Sequence, residues 1–142
     1  MRLLFKLSGF TLIVLTTTAI GFLKSNSLNM RYKKLCNLKS AVTDLKQRIR
    51  LSHGEIDKLI AVSFKNIPDL YSNLEKSDIS ITENFFKDIG MLDTDSECER
   101  CDLYISLLDT QIINAQKNYH ELGKLYKSIG FMSGLFFCIF FL

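Results

Sequence analysis

The stretch CDLYISLLDTQIINAQKNYHELGKLYKSI, Cys101 to Ile129, carries the apolar stripe that decides how this chain folds. Its apolar side chains recur at alternating intervals of four and three residues, which places them on one face of a single α-helix. The positions of this predicted heptad core are Cys101, Ile105, Leu108, Ile112, Ala115, Tyr119, Leu122 and Tyr126, and Ile129 continues the spacing.

A second stripe with the same spacing lies in the first half of the chain, within a helix predicted from Leu28 to Leu51. Its members are Leu28, Leu35, Leu38, Val42, Leu45 and Ile49. The later stripe can pack against this helix in an antiparallel bundle, or it can form a coiled coil with a second subunit. We expect the bundle within one chain, because the partner helix is already present.

Shorter elements are predicted between the two stripes. They are a turn at Ser52–Glu55, a helix from Ile56, a break at Pro68, a short helix at Asp69–Glu75, capping boxes at Ser80–Glu83 and Thr94–Glu97, and a helix C-cap at Gly90. One proline in 142 residues agrees with this helical pattern. The fold class predicted from sequence is therefore all-α.

Charge is distributed unevenly along the chain. The net charge is +3, yet all fifteen acidic residues lie between Asp44 and Glu121. Such a small excess over a mixed-charge middle does not indicate a nucleic-acid partner. The length allows one domain at most.

Both ends of the chain are long runs without charge. Between Lys6 and Lys24 lie 17 uncharged residues, and a helix that spans a membrane needs about 17 to 25. The last run, 128–142, has 15 residues and would reach about 22 Å, less than the hydrocarbon core of about 30 Å. We expect two terminal transmembrane helices, since lysine side chains can extend to the interface and the bilayer can thin locally. A cleaved signal peptide ending near Ser25–Ser27 is the alternative for the first run.

Basic residues predict the topology. Lysine and arginine cluster on the inner side of both runs, so the positive-inside rule places the middle in the cytoplasm and both termini across the membrane. The predicted domains are a transmembrane helix at 1–24, a cytosolic helical bundle at 25–127 and a transmembrane helix at 128–142. Small residues one turn apart predict close helix packing between the two runs or between protomers. They are Thr17, Gly21, Gly130 and Gly134.

Cysteine and histidine residues give little indication of catalysis or metal binding. The CxxC motif at Cys98 and Cys101 would need two further ligands for a zinc site, and His53, His120 and Cys36 lack matching spacing. A redox role would require a thioredoxin-like context, whereas this segment is predicted to be helical. We expect no enzyme activity, no metal and no cofactor.

The two ends carry a family resemblance. The terminal YKSIGFMSGLFFCIFFL places Tyr126, Lys127, Ile129, Gly130, Gly134 and Leu135 in a pattern of tyrosine, basic residue, Ile-Gly and Gly-Leu. The first run is rich in threonine and ends in IGF at Ile20–Phe22, and the segment YKKLCNLKSAVTDLKQRI follows it. In these features the chain resembles the stage III sporulation protein AB family of endospore-forming bacteria.

The resemblance implies a function and a location. Family members belong to a channel-like, secretion-like complex that the mother cell builds in the outer forespore membrane. Their helical domain is similar to the platform protein of type II secretion, which implies a non-enzymatic membrane scaffold that docks a cytosolic motor ATPase of the secretion type. The implied partners are other sporulation channel membrane proteins, membrane lipid and that ATPase, with homo-oligomers left open. The implied location is the cell membrane, crossed twice, with the central domain in the mother-cell cytoplasm. The alternative is a small membrane regulator or sensor that dimerises through its heptad helix.

Overall fold

Four α-helices make up the regular structure of the computed structural model, which describes residues 2–51, 55–67 and 69–140. They are α1 (Arg2–Leu51), α2 (Ile56–Ser63), α3 (Lys76–Asp88) and α4 (Thr94–Phe140). The described residues divide into two compact units. Unit 1 comprises Met1–Asn29 with Gln116–Leu142, and unit 2 comprises Met30–Ala115. The predicted turn at Ser52–Glu55 falls mostly outside the described residues, as does the predicted break at Pro68.

The expected transmembrane helices are not found. No helix in the described part of the chain combines the length and the apolar character needed to cross a membrane. The prediction of spanning helices at 1–24 and 128–142 is therefore wrong, and so is the two-pass localisation in the cell membrane. A run without charge meets only one requirement of a spanning helix, since length and apolar character are needed together. The first run contains four threonines, and Thr16 and Thr18 donate hydrogen bonds to the backbone oxygens of Leu12 and Val14. The second run is shorter than the hydrocarbon core.

Helix α3 begins one turn earlier than its predicted capping box. Glu75 is the N-cap, its side chain accepts from the N3 backbone N–H, and the Asp78 carboxylate accepts from the Glu75 N–H at 3.1 Å. Because this pair already satisfies the free N–H groups, Ser80–Glu83 lies inside the helix. The predicted helix at Asp69–Glu75 is a series of turns instead. Asp69 and Asn73 have positive φ angles of 49° and 59°, which an α-helix cannot contain.

Unit 2 is organised around an apolar core that α1, α3 and α4 build together. The facing stripes of α1 and α4 supply most of it, and α3 adds Phe85. Its buried members are Leu35, Leu38, Val42, Leu45, Ile49, Phe85, Cys101, Tyr104, Leu108 and Ala115. Ion pairs between α1 and α4 flank the core, with Lys39 Nζ 2.5 Å from Asp109 Oδ1 and Lys46 Nζ 2.5 Å from Asp102 Oδ1. These pairs join residues in reverse order along the two helices, so α1 and α4 are antiparallel in unit 2.

A buried arginine connects three helices of unit 2. Arg31 on α1 donates from Nε to Asp78 Oδ2 at 2.8 Å and from Nη2 to Asp78 Oδ1 at 3.1 Å. It also donates to Glu75 Oε1 at 2.6 Å and to Gln111 Oε1 on α4 at 3.4 Å. Asp78 is completely buried and Arg31 nearly so. Such a bidentate pair is strong and directional, and removing one member leaves the other as an uncompensated buried charge.

An aromatic stack lies in the same core. The rings of Phe85 and Tyr104 are parallel within 13° with their centroids 4.3 Å apart. The Tyr104 hydroxyl donates to Thr82 Oγ1 at 2.9 Å, so the buried phenol retains a hydrogen-bond partner. Burial raises the pKa of Tyr104 to about 12. The stack therefore fixes the position of α3 against α4 within unit 2.

We expect Arg31→Met to destabilise the chain by about 3–5 kcal/mol, because Asp78 would remain buried without its counter-charge. Urea unfolding followed by circular dichroism at 222 nm measures the change. The matched control is Lys39→Met, whose ion pair is partly exposed, and we expect it to cost no more than about 1 kcal/mol. Equal losses in the two variants would contradict the role assigned to Arg31.

Candidate interaction sites

A glycine-lined seam brings α1 and α4 together within unit 1. A Cβ placed on Gly21 would lie 2.5 Å from the backbone oxygen of Tyr126. One placed on Gly130 would lie 2.9 Å from the backbone oxygen of Thr17, and one on Gly134 would lie 2.8 Å from Thr17 Oγ1. Since Cβ atoms essentially never approach other atoms below 3.0 Å, the two helices meet at a distance that only glycine permits.

The seam contains all four residues for which the sequence predicted close packing, and it runs antiparallel, since later residues of α1 face earlier residues of α4. Whether Thr17, Gly21, Gly130 and Gly134 serve a function beyond this contact stays a prediction. Sequence reasoning missed Gly123, where an added Cβ would lie 3.1 Å from the buried Ser25 hydroxyl. Its position seven residues before Gly130 was the signal that could have found it.

The outer faces of the same helix pair are apolar and exposed. The exposed large apolar residues of unit 1 include Leu12, Leu15, Ile20, Phe22, Leu23, Leu122, Leu125, Ile129, Phe131, Met132, Leu135, Phe136 and Ile139. The ammonium of Lys127 lies 5.2 Å from the centroid of the Phe22 ring, within the range of a cation–π contact.

The predicted heptad residues occupy different environments along α4. Cys101, Leu108 and Ala115 are buried in the core of unit 2, and Ile105 and Ile112 pack against that core while partly exposed. In unit 1, Tyr119 and Tyr126 are half-buried and Leu122 is exposed.

The two cysteines of the CxxC motif differ in exposure. Cys98 is half-buried, Cys101 is buried, and both are free thiols. Burial raises the pKa of the Cys101 thiol to about 11, and the neighbouring Cys98 and Glu97 act in the same direction. A thiol with this pKa is almost entirely protonated near neutrality and is a poor nucleophile. Within the described ranges, no group of three or more His, Cys, Asp or Glu side chains could hold a metal ion.

An open groove of about 510 Å³ lies along the α1–α4 surface of unit 2. It is lined by Cys36, Lys39, Ser40, Thr43, Asp44, Gln47, Asp109 and Ile112. Lys39 pairs with Asp109, and Asp44 accepts from Arg48 Nε at 2.7 Å and from Ser63 Oγ at 2.8 Å. The hydrogen bond from Arg48, followed by that from Ser63, lowers the pKa of Asp44. Because these charged side chains already pair with one another, the groove is better suited to bind a partner than to transfer protons.

The turn between α3 and α4 is held by a buried carboxyl group. Glu97 is fully buried, and its Oε1 accepts from the backbone N–H of Gly90 at 2.8 Å and of Leu92 at 3.1 Å. The predicted capping box at Thr94–Glu97 is therefore not formed, because Asp93 accepts from Ser96 N instead, and Glu97 reaches back to the turn. Gly90 has a φ of 91°, as expected for a glycine that follows a helix.

The helix pair with a glycine seam in unit 1, and the helical bundle with its own apolar core in unit 2, define the class of the described residues as all-helical. The sequence model of the family described as stage III sporulation protein AB matches residues 6–70 and 63–142. The chain belongs to this family, and the match implies a role in stage III of sporulation. No curated protein and no solved structure matches the chain.

We expect Gly21→Ala to loosen the seam, because the new methyl group would overlap the Tyr126 carbonyl. Overpacking of this kind costs about 1–3 kcal/mol. Hydrogen exchange read by mass spectrometry should show faster exchange in residues 14–25. The control is Gly9→Ala, where nothing lies within 4 Å of the added Cβ. Unchanged protection in Gly21→Ala would show that the seam accepts a methyl group at this position and does not require glycine.

We expect iodoacetamide at pH 8 to modify Cys98 in the folded protein and to leave Cys101 intact. With a pKa of about 11, only about a thousandth of Cys101 is thiolate at this pH. Peptide mass spectrometry locates the modified sites, and unfolding in guanidinium provides the control in which both cysteines react. Equal labelling of the folded protein would mean that the core opens at Cys101.

Proposed function

We propose that the chain is a non-enzymatic scaffold of the stage III sporulation channel complex and that it docks a cytosolic motor ATPase. The observation that carries the proposal is the family match, which extends over nearly the whole chain. The proposed channel and ATPase follow by analogy with the platform proteins of secretion systems.

The construction of unit 2 supports a docking role. Its core is tied by the Arg31–Asp78 pair and by the cross-helix pairs of Lys39 and Lys46. A bundle restrained in this way presents its surface side chains in fixed positions, which lowers the entropy lost when a partner binds. A scaffold needs such surfaces, since its activity consists of holding other proteins in place.

A small dimerising regulator is the second candidate. It is favoured by the exposed apolar side chains of α4 in unit 2, Leu103, Leu107 and Ile113. A second copy that covered these side chains would form a dimer. The buried positions Cys101, Leu108 and Ala115 favour the scaffold instead. This face of α4 already packs in the core of unit 2, so a second copy of the chain cannot bind to it.

Affinity purification of the tagged chain from sporulating cells of its own host tests the proposal. We expect a P-loop ATPase encoded beside the gene to co-purify, and we expect a deletion strain to arrest at engulfment. Co-purification of the ATPase would be compared between Lys46→Glu and Arg48→Glu. The first variant breaks an ion pair between α1 and α4, and the second breaks an ion pair within α1. A concentration-dependent dimer without an ATPase would favour the regulator, and normal spores from the deletion strain would refute both.

A further inference from the structure

The turn between α3 and α4 exposes two apolar side chains. Met91 is 76% exposed and Leu92 is 47% exposed, although both lie in a short connection between two helices packed in unit 2. We call the segment 89–93 the apolar turn. Polar residues and glycine are the usual occupants of such a connection, so two adjacent apolar side chains there require an explanation.

The apolar turn is restrained from its inner side. Glu97 Oε1 accepts two of its backbone N–H groups, those of Gly90 and Leu92. Arg100 donates to the backbone oxygen of Asp88 at the end of α3. The backbone is therefore held in one conformation before any partner arrives, and this preorganisation reduces the entropy that binding would cost.

The same buried side chain carries an unsatisfied atom. Among the described residues, no donor reaches Glu97 Oε2, although this oxygen is buried. A glutamine at position 97 could accept the same two hydrogen bonds through its single side-chain oxygen. The glutamate has a second oxygen, Oε2, which lies buried under the turn without a donor among the described residues.

Acidic side chains surround the apolar turn in sequence. Asp88, Asp93, Asp95 and Glu99 are all exposed, and hydrogen bonds from the Ser96 side chain and backbone lower the pKa of Asp93. The basic residues of the same stretch are Lys87 and Arg100. An apolar tip with an acidic margin is complementary to an apolar pocket with a basic margin, because opposite potentials steer and select partners.

We propose that the apolar turn is a docking element that inserts Met91 and Leu92 into an apolar pocket of a partner protein whose rim carries lysine and arginine. This inference rests on the proposed scaffold function, since it describes how one partner of the scaffold is held. Glu97 is a positioning residue for the element.

The first test measures viable spores from a deletion strain of the host that is complemented with the full chain. Met91→Ser/Leu92→Ser should lower the count at least tenfold. The matched control, Leu51→Ser/Val62→Ser, removes two side chains of similar exposure, 85% and 53%, and should stay within twofold of the unaltered chain. A spore count for the Met91/Leu92 variant equal to that of the control overturns the inference.

The second test identifies the chemistry of the partner. A photo-crosslinking benzoylphenylalanine at position 91 is activated in sporulating cells, and the cross-linked peptide is sequenced. We expect a partner peptide with apolar residues flanked by lysine or arginine, and at least tenfold less product with Asp95→Lys than with Glu121→Lys. Cross-linking to a second copy of this chain, to a peptide without basic residues, or at no greater yield than from position 62 counts against the proposal.

The positioning role of Glu97 has its own readout. Glu97→Ala should accelerate hydrogen exchange at the amides of Gly90 and Leu92 at least tenfold, and Glu97→Gln should restore protection because it keeps an acceptor oxygen. Equal exchange in the unaltered chain, Glu97→Ala and Glu97→Gln would show that Glu97 does not restrain the apolar turn.

These results separate two kinds of failure. If the deletion strain forms normal spores without any added chain, the proposed scaffold function fails, and the docking inference that rests on it fails with it. If the unaltered chain restores spores and the Met91/Leu92 variant does so equally well, only the docking inference fails. A thermal melt of each variant by circular dichroism accompanies the counts. Asp95→Lys changes a surface charge without altering the core, and it keeps the inference testable if the double serine variant unfolds.

Discussion

The arrangement of unit 2 depends on the buried pair between Arg31 and Asp78. Helices α1 and α4 have facing apolar stripes and could associate without it, but α3 is short and needs a directional contact to fix its place. Asp78 provides that contact while it also accepts the Glu75 N–H at the start of α3. One carboxylate therefore defines where α3 begins and which helix it faces. The same pair explains why a buried charged residue lies between Leu28 and Leu35, the first two members of the apolar stripe of α1.

Unit 1 follows a different physical rule. Its two helices pack closely because Gly21, Gly130 and Gly134 have no side chains, which lets atoms of the facing helix approach to contact distance. Such packing stabilises through many weak dispersion contacts and leaves the large apolar side chains on the outside. Unit 2 uses the opposite arrangement, since large apolar side chains and the Arg31–Asp78 pair lie inside it, while the pairs of Lys39 and Lys46 lie at its surface.

The long helices and the unit 2 core could be predicted from sequence because they depend on local spacing. The stripes at Leu35–Ile49 and Cys101–Ala115 needed no knowledge of the fold. The Arg31–Asp78 pair could not be predicted, since 47 residues separate the two and only the packed structure brings them together. The capping boxes were misplaced because Ser80, Thr94 and their acidic partners satisfy the same local pattern as Glu75 and Asp78. The terminal runs were predicted to span a membrane from their length and their lack of charge alone, and no helix among the described residues meets the requirements for a span. The restraint of the apolar turn by Glu97 left no signal in the spacing of residues.

The stacked Tyr104 gives the molecule an optical signal of its own. The chain has five tyrosines and no tryptophan, so its near-ultraviolet absorption comes mainly from phenol rings. An unperturbed phenol ionises near pH 10, whereas Tyr104 does so near pH 12 while its stack on Phe85 is intact. Tyrosinate absorbance during an alkaline titration therefore contains a delayed component from the interior of unit 2. Packing around the α3–α4 contact can be followed in this way without attaching any label to the protein.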